Sequence, residues 1–235
     1  LVVVGDVDIK VASRLIERQF SGLHAPEMQP RCFEYGKLEE QGTSALYVHE
    51  PEKGSTEVSI STRWNTMPQV DSVDWQAELV QRYVAATLLS NRLKRVVSRE
   101  NSPLTMAKTY SGIFLERFGY ATVTGTTEAE QWPEAFGLLN TTLRQALESG
   151  FTERELNRVR KEILAELEKD IQIAGSRDSR KLASQIINKL NSNEVVLSPE
   201  QDLELFGTVI ENLSLDTVNT IFRSLWAHKN RQYMV

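Results

Sequence analysis

Three histidines, one cysteine and a row of glutamates along one amphipathic stretch are the side chains of this 235-residue chain best suited to chemistry. A zinc site needs three or four nitrogen, sulfur or carboxylate ligands that converge. His24, His49 and His228 include no pair at helical spacing, and Cys32 has no second cysteine to join it. His49 and Glu50 are adjacent, so on a strand their side chains point to opposite faces. His49 therefore reads as a strand-end residue. No Gly-x-Ser-x-Gly elbow is present, and Cys32, without a partner base in the sequence, reads as inert packing. Gly5-Asp6 after an apolar run offers one glycine where a dinucleotide fingerprint needs three. Glu155, Glu162 and Glu166, interleaved with Arg158, Arg160 and Lys161, read as a solvated face with ion pairs four residues apart. Arg92, Lys94, Arg95 and Arg99 have two readings: cations placed at a helix C-terminus, or a group that recognises a carboxylate or peptide carbonyl. The residues thus supply no catalytic set and no metal site.

The elements that would position these groups follow from hydrophobic period and punctuation. Leu1–Val4 reads as a buried strand, then a helix over 9–20 carries Val11, Leu15 and Ile16 on one face and stops at Gly22. Residues 24–42, with Pro26, Pro30, Gly36 and Gly42, read as an extended connector. Strands follow over 45–49 and 57–64. In the second, Val58, Ile60, Thr62 and Trp64 share one face. The longest helix spans 71–99, with an apolar stripe of Trp75, Leu79, Tyr83, Ala86, Leu89 and Leu93, and Pro103 follows its end. A strand pair covers 105–112 and 119–126. Helices cover 132–148, 152–170, 176–190, a stretch opened by Ser198-Pro199, and 215–226; a last strand begins at Gln232. Thr152-Glu153-Arg154-Glu155 has the form of a capping box. Strands in pairs between helices predict an α+β fold: one mixed, largely antiparallel sheet with helices packed on one face. No linker composition interrupts residues 1–235, which read as a single domain. Both ends read as strands of a continuing chain.

Composition narrows the classes further. Hydrophobic residues make up 40% and charged residues 25%, as in an ordinary globular domain. A net charge of -5 argues against nucleic acid as a partner, and no apolar run is long enough to span a membrane. One cysteine rules out an internal disulfide without fixing the compartment.

The order of elements and several phrases together resemble the second, non-catalytic domain of the pitrilysin/insulinase family of zinc metallopeptidases. The phrases are Leu1-Val2-Val3-Val4-Gly5-Asp6-Val7-Asp8 with the helix ending Arg18-Gln19-Phe20-Ser21-Gly22-Leu23; Leu89-Ser90-Asn91-Arg92-Leu93 with Arg99-Glu100-Asn101-Ser102-Pro103; and Gly150-Phe151-Thr152-Glu153-Arg154-Glu155-Leu156. The likeness extends over essentially the whole chain and is strongest to long single-chain bacterial members of the PqqL-like type. It implies homologous α/β domains that enclose a peptide-sized chamber, with zinc in a neighbouring catalytic domain carrying His-x-x-Glu-His, where the glutamate activates water. That motif is missing from this sequence. The implied role is a chamber-forming, structural domain of a metalloendopeptidase, with no cofactor of its own. Its implied partners are the catalytic domain of the same chain and a peptide substrate. The alternative is a scaffold, assembly or peptide-binding module in a catalytically inactive member. The resemblance implies a soluble bacterial protein and leaves periplasm and cytoplasm open. Arg99 lies near the family's substrate-gripping arginine, but the seventh position beyond it is Met106 and the nearest tyrosine is Tyr110. The family's gripping role is therefore not carried over: the substrate-binding residues are unknown, and Arg99 is named only as a candidate.

Overall fold

The computed structural model describes residues 1–24 and 36–235. They group into two compact units, one formed by Leu1–Gly36 with Gln172–Val196 and the other by Lys37–Ile171 with Leu197–Val235. Cys32, Pro26 and Pro30 lie outside the described residues.

The first unit holds α1 (Ile9–Phe20) and α5 (Ser179–Asn191). Each is started by an aspartate that accepts early backbone N–H groups: Asp8 from Val11 at 2.9 Å, and Asp178 from Arg180 and Lys181, both at 3.0 Å. The apolar face of α1 is as expected, but Ile9, Val11, Leu15 and Phe20 are exposed. Leu1–Val4 is not a buried strand. A strand needs a neighbour to complete its ladder; among the described residues none pairs with it, and Leu1 is exposed.

The second unit is the predicted α+β architecture. Its strands are β1 (Thr43–Leu46), β2 (Thr56–Asn65), β3 (Met106–Phe114), β4 (Phe118–Thr127) and β5 (Asn230–Met234), in the order β1-β5-β2-β4-β3. Only β1 and β5 pair in parallel; the other three pairings are antiparallel. Strand β5, the last in sequence, sits between β1 and β2. That place inside the sheet was not visible from a short strand signal at the chain's end.

Period-two alternation sets which face is covered. On β2 and β4, Val58, Ile60, Thr62, Ala121, Val123 and Thr127 are buried. The helical layer on that side consists of α2 (Val73–Val97), α3 (Trp132–Ser149) and α8 (Leu215–Trp226), all in contact with one another and with strands. Two glycines let this layer close. A Cβ at Gly125 would lie 2.5 Å from Leu104, and one at Gly119 would lie 2.0 Å from the Trp64 ring. Helix α4 (Glu153–Gln172) buries Leu156, Val159 and Ile163. A helical run of α6 (Pro199–Asp202), a π-helical turn (Leu203–Gly207) and α7 (Thr208–Asn212) precedes α8. Both capping boxes form: Thr152 with Glu155, and Ser198 with Gln201.

Helix α2 corrects the expected stripe. Its buried residues are Val84, Ala85, Leu88, Leu89, Leu93 and Val96, whereas Tyr83 is 53% exposed. The buried face lies about one residue round the helix from the stripe read by spacing.

Candidate functional site

His24 and His49 are exposed, on the residues that follow α1 and β1. His228, in the turn between α8 and β5, stacks flat on Trp64 with ring centroids 4.1 Å apart and planes 12° apart. Burial pushes its pKa down, and the positive charge of Arg82 adds to the effect. Among the described residues, no group of three or more His, Cys, Asp or Glu side chains is placed to hold a metal.

The basic cluster of α2 does recognise a carboxylate, but one belonging to the same chain. Arg92 forks onto Glu155, with Nε to Oε1 and Nη2 to Oε2 both at 2.8 Å, and its Nη2 also donates to the Gly150 carbonyl at 2.7 Å. Its guanidinium lies 4.6 Å above the centre of the Phe151 ring. Arg95 adds a further bond to Glu155 at 2.7 Å, and the Thr152 N–H and hydroxyl each donate to Oε2 at 3.0 Å. These donors, Arg92 first, overcome partial burial and hold the Glu155 carboxyl down at about 2. The arrangement ties the end of α2 to the start of α4, and Asn219 of α8 joins from behind by accepting the Phe151 N–H at 2.7 Å. Glu162 behaves as expected of a solvated face. Arg158, four residues earlier, donates to it at 2.7 Å and lowers its pKa, with Asn91 of α2 donating at 3.0 Å. Glu166 is exposed.

A concave surface lies at the β1 side of the sheet. An apolar hollow of about 490 Å³ opens between β1, the end of β5 and α3, lined by Leu46, Tyr47, Trp132, Phe136, Tyr233 and Val235 among others. Phe136 meets Tyr233 edge to face, with centroids 5.7 Å apart. A second hollow of about 480 Å³ shares Tyr47, Trp132 and Val235 with the first, and it gathers Glu50, Glu57, Glu128 and Glu130.

Residues 1–163 match a sequence family described as the peptidase M16 inactive domain. The chain belongs to that family. No curated protein matches it. Among solved structures, the first half of the periplasmic protease PqqL from Escherichia coli is 20% identical with a TM-score of 0.88, covering 98% of this chain and 50% of that one. A predicted insulinase family protease from Yersinia pestis is 18% identical with a TM-score of 0.79, covering 98% and 50%. A protease from Helicobacter pylori is 14% identical with a TM-score of 0.71, covering 99% and 54%. At these identities the likeness is one of fold, and this chain spans about half the length of each.

In this M16 inactive domain, Arg99 lies just beyond α2, exposed, with its backbone N–H bonded to Val96 at 3.3 Å. The glutamates at 128 and 130, close before Trp132, went unremarked in the sequence. They gain meaning only when β1 and β5 bring Tyr47 and Val235 beside them, and no local pattern announces that neighbourhood.

Proposed function

We propose that residues 1–235 form the non-catalytic domain of a longer zinc-dependent metalloendopeptidase, where they buttress the catalytic domain and wall a peptide chamber. The observation that carries this reading is the match of residues 1–163 to the M16 inactive domain in a chain without His-x-x-Glu-His. The likeness to proteases over 98% of the chain supports it, as does the absence of a metal cluster among the described residues. In this account zinc belongs to the neighbouring catalytic domain, the covered sheet supplies rigidity, and Arg99 is the candidate contact for a substrate carbonyl or carboxylate. No helix among the described residues is long and apolar enough to cross a membrane. The solved PqqL is described as periplasmic, and we place the parent in the same compartment.

An endopeptidase assay on the full-length protein tests the reading. Cleavage of an unfolded polypeptide that stops on chelation and returns with zinc is the expected result. A full-length chain with no zinc-binding motif and no cleavage would leave the domain as part of a scaffold and overturn the proposal.

A further inference from the structure

Among the described residues, strand β1 is an edge of the sheet with no strand paired on its outer side. Gly42 and Leu46 accept from Arg231 and Val235, each at 3.0 Å, and Val48 donates to Val235 at 2.8 Å. The even-numbered residues thus turn their peptide groups to β5. Alternation along a strand then turns those of Thr43, Ala45 and Tyr47 outward. All four residues of β1 are exposed. Protein edges are normally guarded by lysine, proline, a bulge or a covering element. Thr43–Leu46 carries no lysine or proline, whereas the opposite edge, β3, carries Lys108.

The surface beside this edge is selective. Ala45 and Tyr47 line the apolar hollow with Trp132, Phe136, Tyr233 and Val235. Its volume of about 490 Å³ is enough to take an aromatic or branched aliphatic side chain. The hollow continues through Tyr47, Trp132 and Val235 into the pocket of Glu50, Glu57, Glu128 and Glu130. None of these four carboxylates forms a salt bridge among the described residues, and Lys53 is the single lysine or arginine in that lining. An unpaired edge specifies extended main chain, the hollow an apolar side chain, and the carboxylates a neighbouring cation.

We propose that β1 is a docking edge for an extended stretch of the polypeptide substrate, which adds as a sixth strand, seats an apolar side chain between β1 and α3, and places a Lys or Arg among Glu50, Glu57, Glu128 and Glu130. The identity of the occupant as substrate rests on the peptidase reading above; the geometry of the edge does not.

The test is fluorescence anisotropy with the full-length protein, under chelation so that no probe is consumed. The probe is fluorescein-labelled Thr-Lys-Thr-Phe-Thr-Lys-Thr-amide, whose lysines stand two residues either side of Phe and so serve either strand direction. Ala45→Pro removes an outward N–H and leaves the β5 ladder intact, and it is expected to weaken binding about tenfold. The exposed pair Glu128→Gln with Glu130→Gln is expected to weaken it about fivefold, and to leave a probe with both lysines changed to Gln unaffected. Replacing the probe's Phe by Ser should abolish binding. Dissociation constants unchanged in both variants, or no binding by the wild type, would overturn the proposal. So would self-association of the wild type that Ala45→Pro abolishes, because a second copy would then be the occupant. Zinc-dependent cleavage with unaltered probe binding in the variants sinks the edge alone. Probe binding that is lost in the variants, in a protein without zinc or cleavage, sinks the chamber reading alone.

Discussion

Glu155 carries more of the structure than its place on a charged helix suggests. Its carboxylate completes a capping box and accepts from two arginines of another helix. Replacing it by Gln leaves Arg92, whose side chain is only 18% exposed, without its counter-charge. With solvent screening allowed for, we expect a loss of about 2 kcal/mol at neutral pH by denaturant unfolding. The pH dependence has a definite sign. Because the folded pKa lies below the ordinary 4.5, at about 2, this contribution is complete above pH 4.5 and disappears as pH falls towards 2. Glu155→Gln should therefore flatten the acid limb of stability over that window. His228 works in the same direction at higher pH. Its folded pKa is depressed, so it favours folding above its unfolded value and loses that contribution as pH falls through the folded one. Tryptophan emission should change as His228 becomes charged against Trp64. Gly119→Ala, which forces the Trp64 ring aside, should remove that change. The Thr152–Glu155 box was legible because its donors and acceptors lie within four residues. The two arginines on Glu155 were not, because about sixty residues of chain separate them from it.

At the scale of elements, local signals sufficed where one principle dominated. Helix α8 spans Leu215–Trp226 as its spacing requires, and β2 buries the expected Val58, Ile60 and Thr62, although Ser59 and Ser61 on its other face are buried too. They failed where packing from several sides decides. Helix α2 touches β3, α3, α7 and α8, so its buried face is broad and its centre is fixed by those neighbours. Leu89 belongs to the expected and the observed stripe, whereas Tyr83 belongs to the expected one only. Leu89→Ala should cost about 3 kcal/mol, and Tyr83→Ala less than about 1 kcal/mol, by chemical denaturation of the same protein. Leu1–Val4 shows the complementary failure, since an apolar run promises a strand without naming a partner. β1 and β5 are short and were read only approximately, and it is their parallel pairing that creates the two hollows.

At the scale of the whole molecule, the fold class was legible and the site was only partly so. Paired strands between helices gave the α+β layering, and the lack of His-x-x-Glu-His could be read directly from the residues. The concave surface depended on the return of β5 to a place between β1 and β2, a contact across nearly the full chain. The proposed function requires that this domain contribute no zinc ligand to a parent peptidase. The direct measurement is the zinc content and endopeptidase activity of the full-length protein with His24, His49 and His228 all replaced by Gln. Both are expected to match the wild type, with one zinc per chain; loss of the zinc together with these histidines would overturn the proposed role.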